Sequence, residues 1–132
     1  MNAMGDSVQQ WLCVTGLAFL AVVTFGSTAI AAEKFQKLSG AQIRARLAGM
    51  EFTDNVHWRD LYQRNGTVTS TSMGRKRTGK WRIDKDQLCI EFETEPVPQC
   101  YEVWLSGKNV ELRNQSTSVP LEAVLQKPGG AR

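Results

Sequence analysis

Lys80-Trp81-Arg82-Ile83, Leu88-Cys89-Ile90-Glu91-Phe92 and Cys100-Tyr101-Glu102-Val103-Trp104-Leu105 decide the fold of this chain. Side chains of a strand point alternately to opposite faces, so a half-buried strand reads apolar at every second position. Leu88, Ile90 and Phe92 do so, with Cys89, Glu91 and Glu93 on the other face. The next run repeats the pattern, with Tyr101, Val103 and Leu105 opposed to Cys100, Glu102 and Trp104. Between them Pro96 and Pro98 stop the ladder and force a loop. A hairpin symmetric about positions 94 and 95 places Cys89 opposite Cys100, within reach of a disulfide. Closing that loop is worth about 2.5–3 kcal/mol on the chain-entropy argument. The rival readings are a metal site or a redox pair. Two cysteines with no histidine nearby make a poor zinc site, and the spacing is not C-x-x-C.

Working outward, Trp11 to Phe25 is a mostly apolar run followed by Ala29-Ile30-Ala31, a small-x-small cleavage pattern. Residues 1–31 are therefore read as a secretory signal peptide, the run being too short for a spanning helix. No lysine or arginine precedes it, and Asp6 is acidic, so an uncleaved anchor is the alternative. Cleavage would remove Cys13 and leave two cysteines, as an oxidising compartment favours. It would also remove Asp6, raising the formal net charge from +3 to +4. That is mildly basic, and nucleic acid is not an expected partner. The expected location is periplasmic or secreted, with no membrane span after cleavage. Residues 32–115 are expected to form one β-rich domain with an N-terminal capping helix, and 116–132 a partly disordered C-terminal segment.

Within that domain, residues 33–37 form a lead-in, and Ser39-Gly40-Ala41-Gln42 is a capping box. Ile43 and Leu47 share one helix face, and Gly49 is placed to end the helix. So short a helix must dock on a sheet as a plug or lid. Strands are expected over 50–53, 56–63, 67–72, 80–83 and 110–113, besides the central pair. Asn65-Gly66 is a strong hairpin signal, and 67–72 suits an exposed pleated surface. Residues 74–79 read as a basic glycine-containing loop. Val119, Leu121, Val124 and Leu125 have weak periodicity and are expected to pack one segment against the sheet. The fold class is thus mainly β: a short N-terminal helix, then a six- or seven-stranded antiparallel meander. Such a meander must close or cover its edges, giving a small lipocalin-like barrel or a curled sheet. The aromatic content suggests a filled interior.

Chemistry is harder to find. His57 is the only histidine, read inside a strand, and has no nucleophile or orienting carboxylate at a motif spacing. No zincin, serine-hydrolase, phosphate-loop or dinucleotide motif is present. Glu91, Glu93, Glu95 and Glu102 cluster near the cysteines, but alternation puts Glu91, Glu93 and Glu102 outside, where carboxylates solubilise. No metal or cofactor is expected. Arg75, Lys76, Arg77, Lys80 and Arg82 concentrate positive charge and are the candidate contact for an anionic envelope component or a protein partner. Against this stands a plain solvated edge guarded by basic residues. Trp81 alternates with Ile83 toward the core, whereas Trp104 lies on the glutamate face.

Leu38-Ser39-Gly40-x-x-Ile43-x-x-x-Leu47-x-Gly49, Tyr62-x-x-Asn65-Gly66-Thr67, Gly79-x-Trp81-x-Ile83, Leu88-Cys89 and Cys100-Tyr101 together resemble a group of small exported alphaproteobacterial proteins classed as a domain of unknown function. The resemblance covers most of residues 38–105 and implies an exported protein with a small β-fold. It brings no catalytic or binding residues. The expected function is non-enzymatic binding of an envelope component or partner protein through exposed loops. The alternatives are a hydrolase-type enzyme using His57 and a carboxylate, or an inhibitor of a lysozyme-like enzyme.

Overall fold

The computed structural model describes residues 34–130, so the expected leader (1–31) lies outside the described residues. The elements are β1 (Gln36–Lys37), α1 (Gly40–Leu47), β2 (Met50–Thr53), β3 (Trp58–Tyr62), β4 (Thr67–Ser72), β5 (Arg75–Asp84), β6 (Gln87–Phe92), β7 (Gln99–Ser106), β8 (Asn109–Arg113) and β9 (Leu121–Gln126). Strands β2 to β9 form an antiparallel meander in which each pairs with the next. β9 then pairs with β2, Phe52 facing Leu125, and the sheet closes as an eight-stranded barrel without an open edge. β1 lies outside this circuit, in line with β6 along one edge of β7.

Three features depart from the sequence expectation. The segment after residue 115, expected only to pack against the sheet, supplies the closing strand β9, in which Ala123 and Leu125 point into the core. Residues 75–79, read as part of a basic loop, are the first half of β5, because Met73 and Gly74 turn the chain within two residues at φ 49° and 77°. His57 likewise precedes β3 instead of lying in it.

α1 seals one end of the barrel. Its capping box is complete: the Ser39 hydroxyl accepts from the Gln42 amide while the Gln42 side chain accepts from the Ser39 amide. The Gly40 amide donates to Asp86 in the β5–β6 turn (2.6 Å), and the Gly49 amide to the Tyr62 carbonyl (2.7 Å). The helix is thereby pinned across the mouth, with Ile43 and Leu47 fully buried beneath it. Below them Phe52, Tyr62 and Trp81 stack edge to face, with centroids 5.2 and 5.8 Å apart. The Trp81 indole N–H donates to the Gln63 carbonyl at 2.8 Å.

The central hairpin has the expected register, with Cys89 opposite Cys100 and the two joined by a disulfide. The β3–β4 turn runs over residues 63–66 and is longer than the two-residue loop that two left-handed residues would make. Only Gly66 has positive φ (88°), its amide bonding the Gln63 carbonyl, while the Asn65 side chain accepts from the Thr67 amide. Gly79 answers to close approach: a β-carbon there would lie 2.4 Å from the Glu91 carbonyl oxygen and 2.7 Å from the Phe92 ring.

Candidate functional site

The opposite end of the barrel is open, and here the inward positions cease to be apolar. Strand pairing places Asp60 beside Ser70 and Ser70 beside Arg77, a polar rung across β3, β4 and β5. One rung nearer the mouth, Trp58 faces Ser72. With Ile90, Phe92, Tyr101, Leu112 and Leu121 on the remaining wall, these residues enclose a cup of about 240 Å³. The interior is therefore filled at the helix end and hollow at the other, whereas the aromatic content suggests a filled one.

Arg77 lies flat on the Phe92 ring, 3.7 Å from its centroid, and its guanidinium donates to Glu95 at 2.6 Å. Glu95 is carried by the β6–β7 loop, whose root is closed by the Cys89–Cys100 bridge. Asp60 is less well provided. Its Oδ1 is buried without a hydrogen-bond partner, as is the Tyr62 hydroxyl. Burial pushes the Asp60 carboxyl up, against the opposing pull of Ser70, Arg77 and Tyr62. Burial also raises the phenols of Tyr62 and Tyr101, which the charges of Asp60 and, for Tyr101, Glu95 push further up. A carboxyl raised in the folded state stabilises the fold fully in acid and loses that contribution as pH climbs through its folded value. Asp60→Asn should therefore be increasingly favourable, relative to the parent, in urea titrations run from about pH 4 to neutrality. A difference constant across that range would remove the buried-carboxyl assignment.

The β-pleat splits the basic stretch. Arg77 turns into the cup, while Lys76, Lys80 and Arg82 face outward and Arg75 stands exposed at the hairpin tip. Arg82 and Lys80 both neighbour Glu91, the former at 3.9 Å and the latter in cross-strand register. On the same outer surface Glu102 pairs with Lys37 at 2.8 Å and accepts from the Trp104 indole, over which Arg113 stacks at 4.0 Å. His57 is largely exposed and does have an orienting carboxylate: its Nδ1 lies 2.8 Å from Asp54. Burial acts to raise the Asp54 carboxyl, but the amides of Trp58, Val56 and His57 and the His57 ring outweigh it and hold it well below the usual carboxylate range. Asp54 thus shapes the β2–β3 loop, its Oδ1 accepting three backbone amides.

A second feature of the open end was not legible in the sequence. The exposed large apolar side chains among the described residues are Val56, Met73, Val97, Val119 and Leu121. Val56, Met73, Val97 and Val119 sit one on each of the four connections around the cup, and Leu121 starts β9 beside them. The hairpins at the sealed end carry none.

No protein-family model, curated protein or solved structure matches the chain. Among the described residues no three His, Cys, Asp or Glu side chains are grouped to hold a metal, and no helix is long and apolar enough to cross a membrane.

Proposed function

We propose that this protein is an exported, non-enzymatic barrel that binds an envelope component or a partner protein through the loops of its open end. The observation that carries the reading is the placement of Val56, Met73, Val97 and Val119 on the four loops of one end. Apolar side chains grouped on one surface mark an interaction site, whereas scattered ones need no explanation. Arg75 and Lys76 beside Met73 supply the positive charge for an anionic component, so the candidate contact narrows from the whole 75–82 stretch to its first residues. Export is supported by the leader-like N-terminus, by the resemblance to small exported proteins and by the disulfide.

Purified protein should co-sediment with an isolated cell-envelope fraction. The triple variant Val56→Ser, Val97→Ser, Val119→Ser should do so about tenfold less, with an unchanged melting temperature because all three positions are exposed. Equal retention of the variant would overturn the loop reading. Intact mass of protein recovered from the periplasm tests export separately. A chain starting at Ala32 supports it, and a full-length chain with free thiols contradicts it.

A further inference from the structure

The cup has its own chemistry, distinct from that of the rim. The charged side chains lining it are Asp60, Arg77 and Glu95. Arg77 and Glu95 neutralise each other through their 2.6 Å ion pair, and the guanidinium face is covered by Phe92. Asp60 keeps an oxygen without a hydrogen-bond partner, flanked by the Ser70 hydroxyl and drawn on by an Arg77 charge that is already shared with Glu95. A barrel selected only for stability has no use for a carboxyl here, since a buried polar group left unpaired destabilises and an apolar side chain would not. Trp58 and Tyr101 add aromatic surface, and Ile90, Leu112 and Leu121 complete an apolar wall. An acceptor of negative charge framed by aromatic and aliphatic surface suits a cation with an apolar body. The volume of about 240 Å³ admits only a small molecule or a single projecting group.

We infer that the cup binds a small organic amine, its protonated nitrogen against Asp60 and its apolar body against Ile90, Leu112 and Leu121. This rests on the reading of the open end as the binding end and specifies what enters it. The groups facing Asp60 are Tyr62 on its own strand, Ser70 on β4, Arg77 on β5, Tyr101 on β7 and Glu95 on the β6–β7 loop. An incoming cation stabilises the ionised form of Asp60 against burial, so binding releases a proton wherever Asp60 is partly protonated in the free protein.

The test is calorimetric titration of the intact protein with phenethylamine, 2-phenylethanol and 3-phenylpropionate, which share a shape and differ in charge. The amine should bind on the order of tenfold to a hundredfold more tightly than either of the others. Asp60→Asn, a near-isosteric change, should abolish that preference and keep the melting transition. Leu121→Trp, placed at the mouth, should block the amine while Asp60 is untouched. Binding enthalpies in buffers of different ionisation heat should report the released proton. Tightest binding of the carboxylate would overturn the inference in favour of an anion site on Arg77, and absence of amine binding would overturn it outright. In either case the rim variants still report separately on the open-end reading, so failure of one is distinguishable from failure of the other.

Discussion

Trp81→Ala is expected to lower the stability of the barrel by about 3–5 kcal/mol. The side chain is 4% exposed and touches three parts of the structure at once. Its ring packs edge-on to Tyr62, its indole N–H serves the Gln63 carbonyl in the β3–β4 turn, and the Arg44 guanidinium of the helix lies 5.5 Å above it. Truncation opens a cavity in the layer beneath the helix and leaves a turn carbonyl without its donor, and the two effects add. Trp81→Phe keeps most of the packing and loses the donor, so it should cost distinctly less, about 1–2 kcal/mol. Urea denaturation separates the cases. The account requires a large fall in midpoint at constant slope for alanine and a small one for phenylalanine. An alanine variant within 1 kcal/mol of the parent would mean that the sealed end is not the stable end of the barrel.

The second large effect concerns the bridge. Replacing Cys89 and Cys100 together by serine should cost about 3 kcal/mol, as expected for a loop closing a sequence separation of 11. Its consequence is local as well as global. The bridge ties the root of the loop that carries Glu95, and Glu95 holds Arg77 against Phe92. Without it, hydrogen exchange should rise first over residues 93–98 and only later in the strands of the sealed end. Unchanged exchange in that loop, with a global loss of stability, would detach the disulfide from the cup.

The parts of the fold legible in the sequence are those where local and global preferences agree. The capping box, the alternation of Leu88, Ile90 and Phe92, and the symmetry that sets Cys89 against Cys100 each follow from a short-range rule that the tertiary structure obeys. The cup was illegible for the opposite reason. Its inward positions are Asp60 between Trp58 and Tyr62, Ser70 and Ser72 after Val68, and Arg77 before Gly79, so the period-two signal fails where the barrel is hollow. Ser70 reads as surface and is 4% exposed, and Arg77 reads as loop and lines the cup from a strand. β9 escaped notice because only Ala123 and Leu125 face the core firmly while Leu121 belongs to the rim. The Asp54–His57 pair was hidden by a three-residue spacing that matches no catalytic motif and instead organises a loop. Rule-breaking at inward positions is concentrated at the open end, in keeping with the binding role proposed for it.

The most direct test of the open end as the binding end is amide chemical-shift mapping of labelled protein titrated with a soluble extract of its own cell envelope. Shifts should be confined to the connections around residues 54–57, 73–74, 93–98 and 114–120 and to Asp60, Ser70 and Arg77 within the cup. Shifts centred instead on the hairpins at 63–66, 84–87 and 106–109, or on the outer face around Lys80, Arg82 and Trp104, would contradict it.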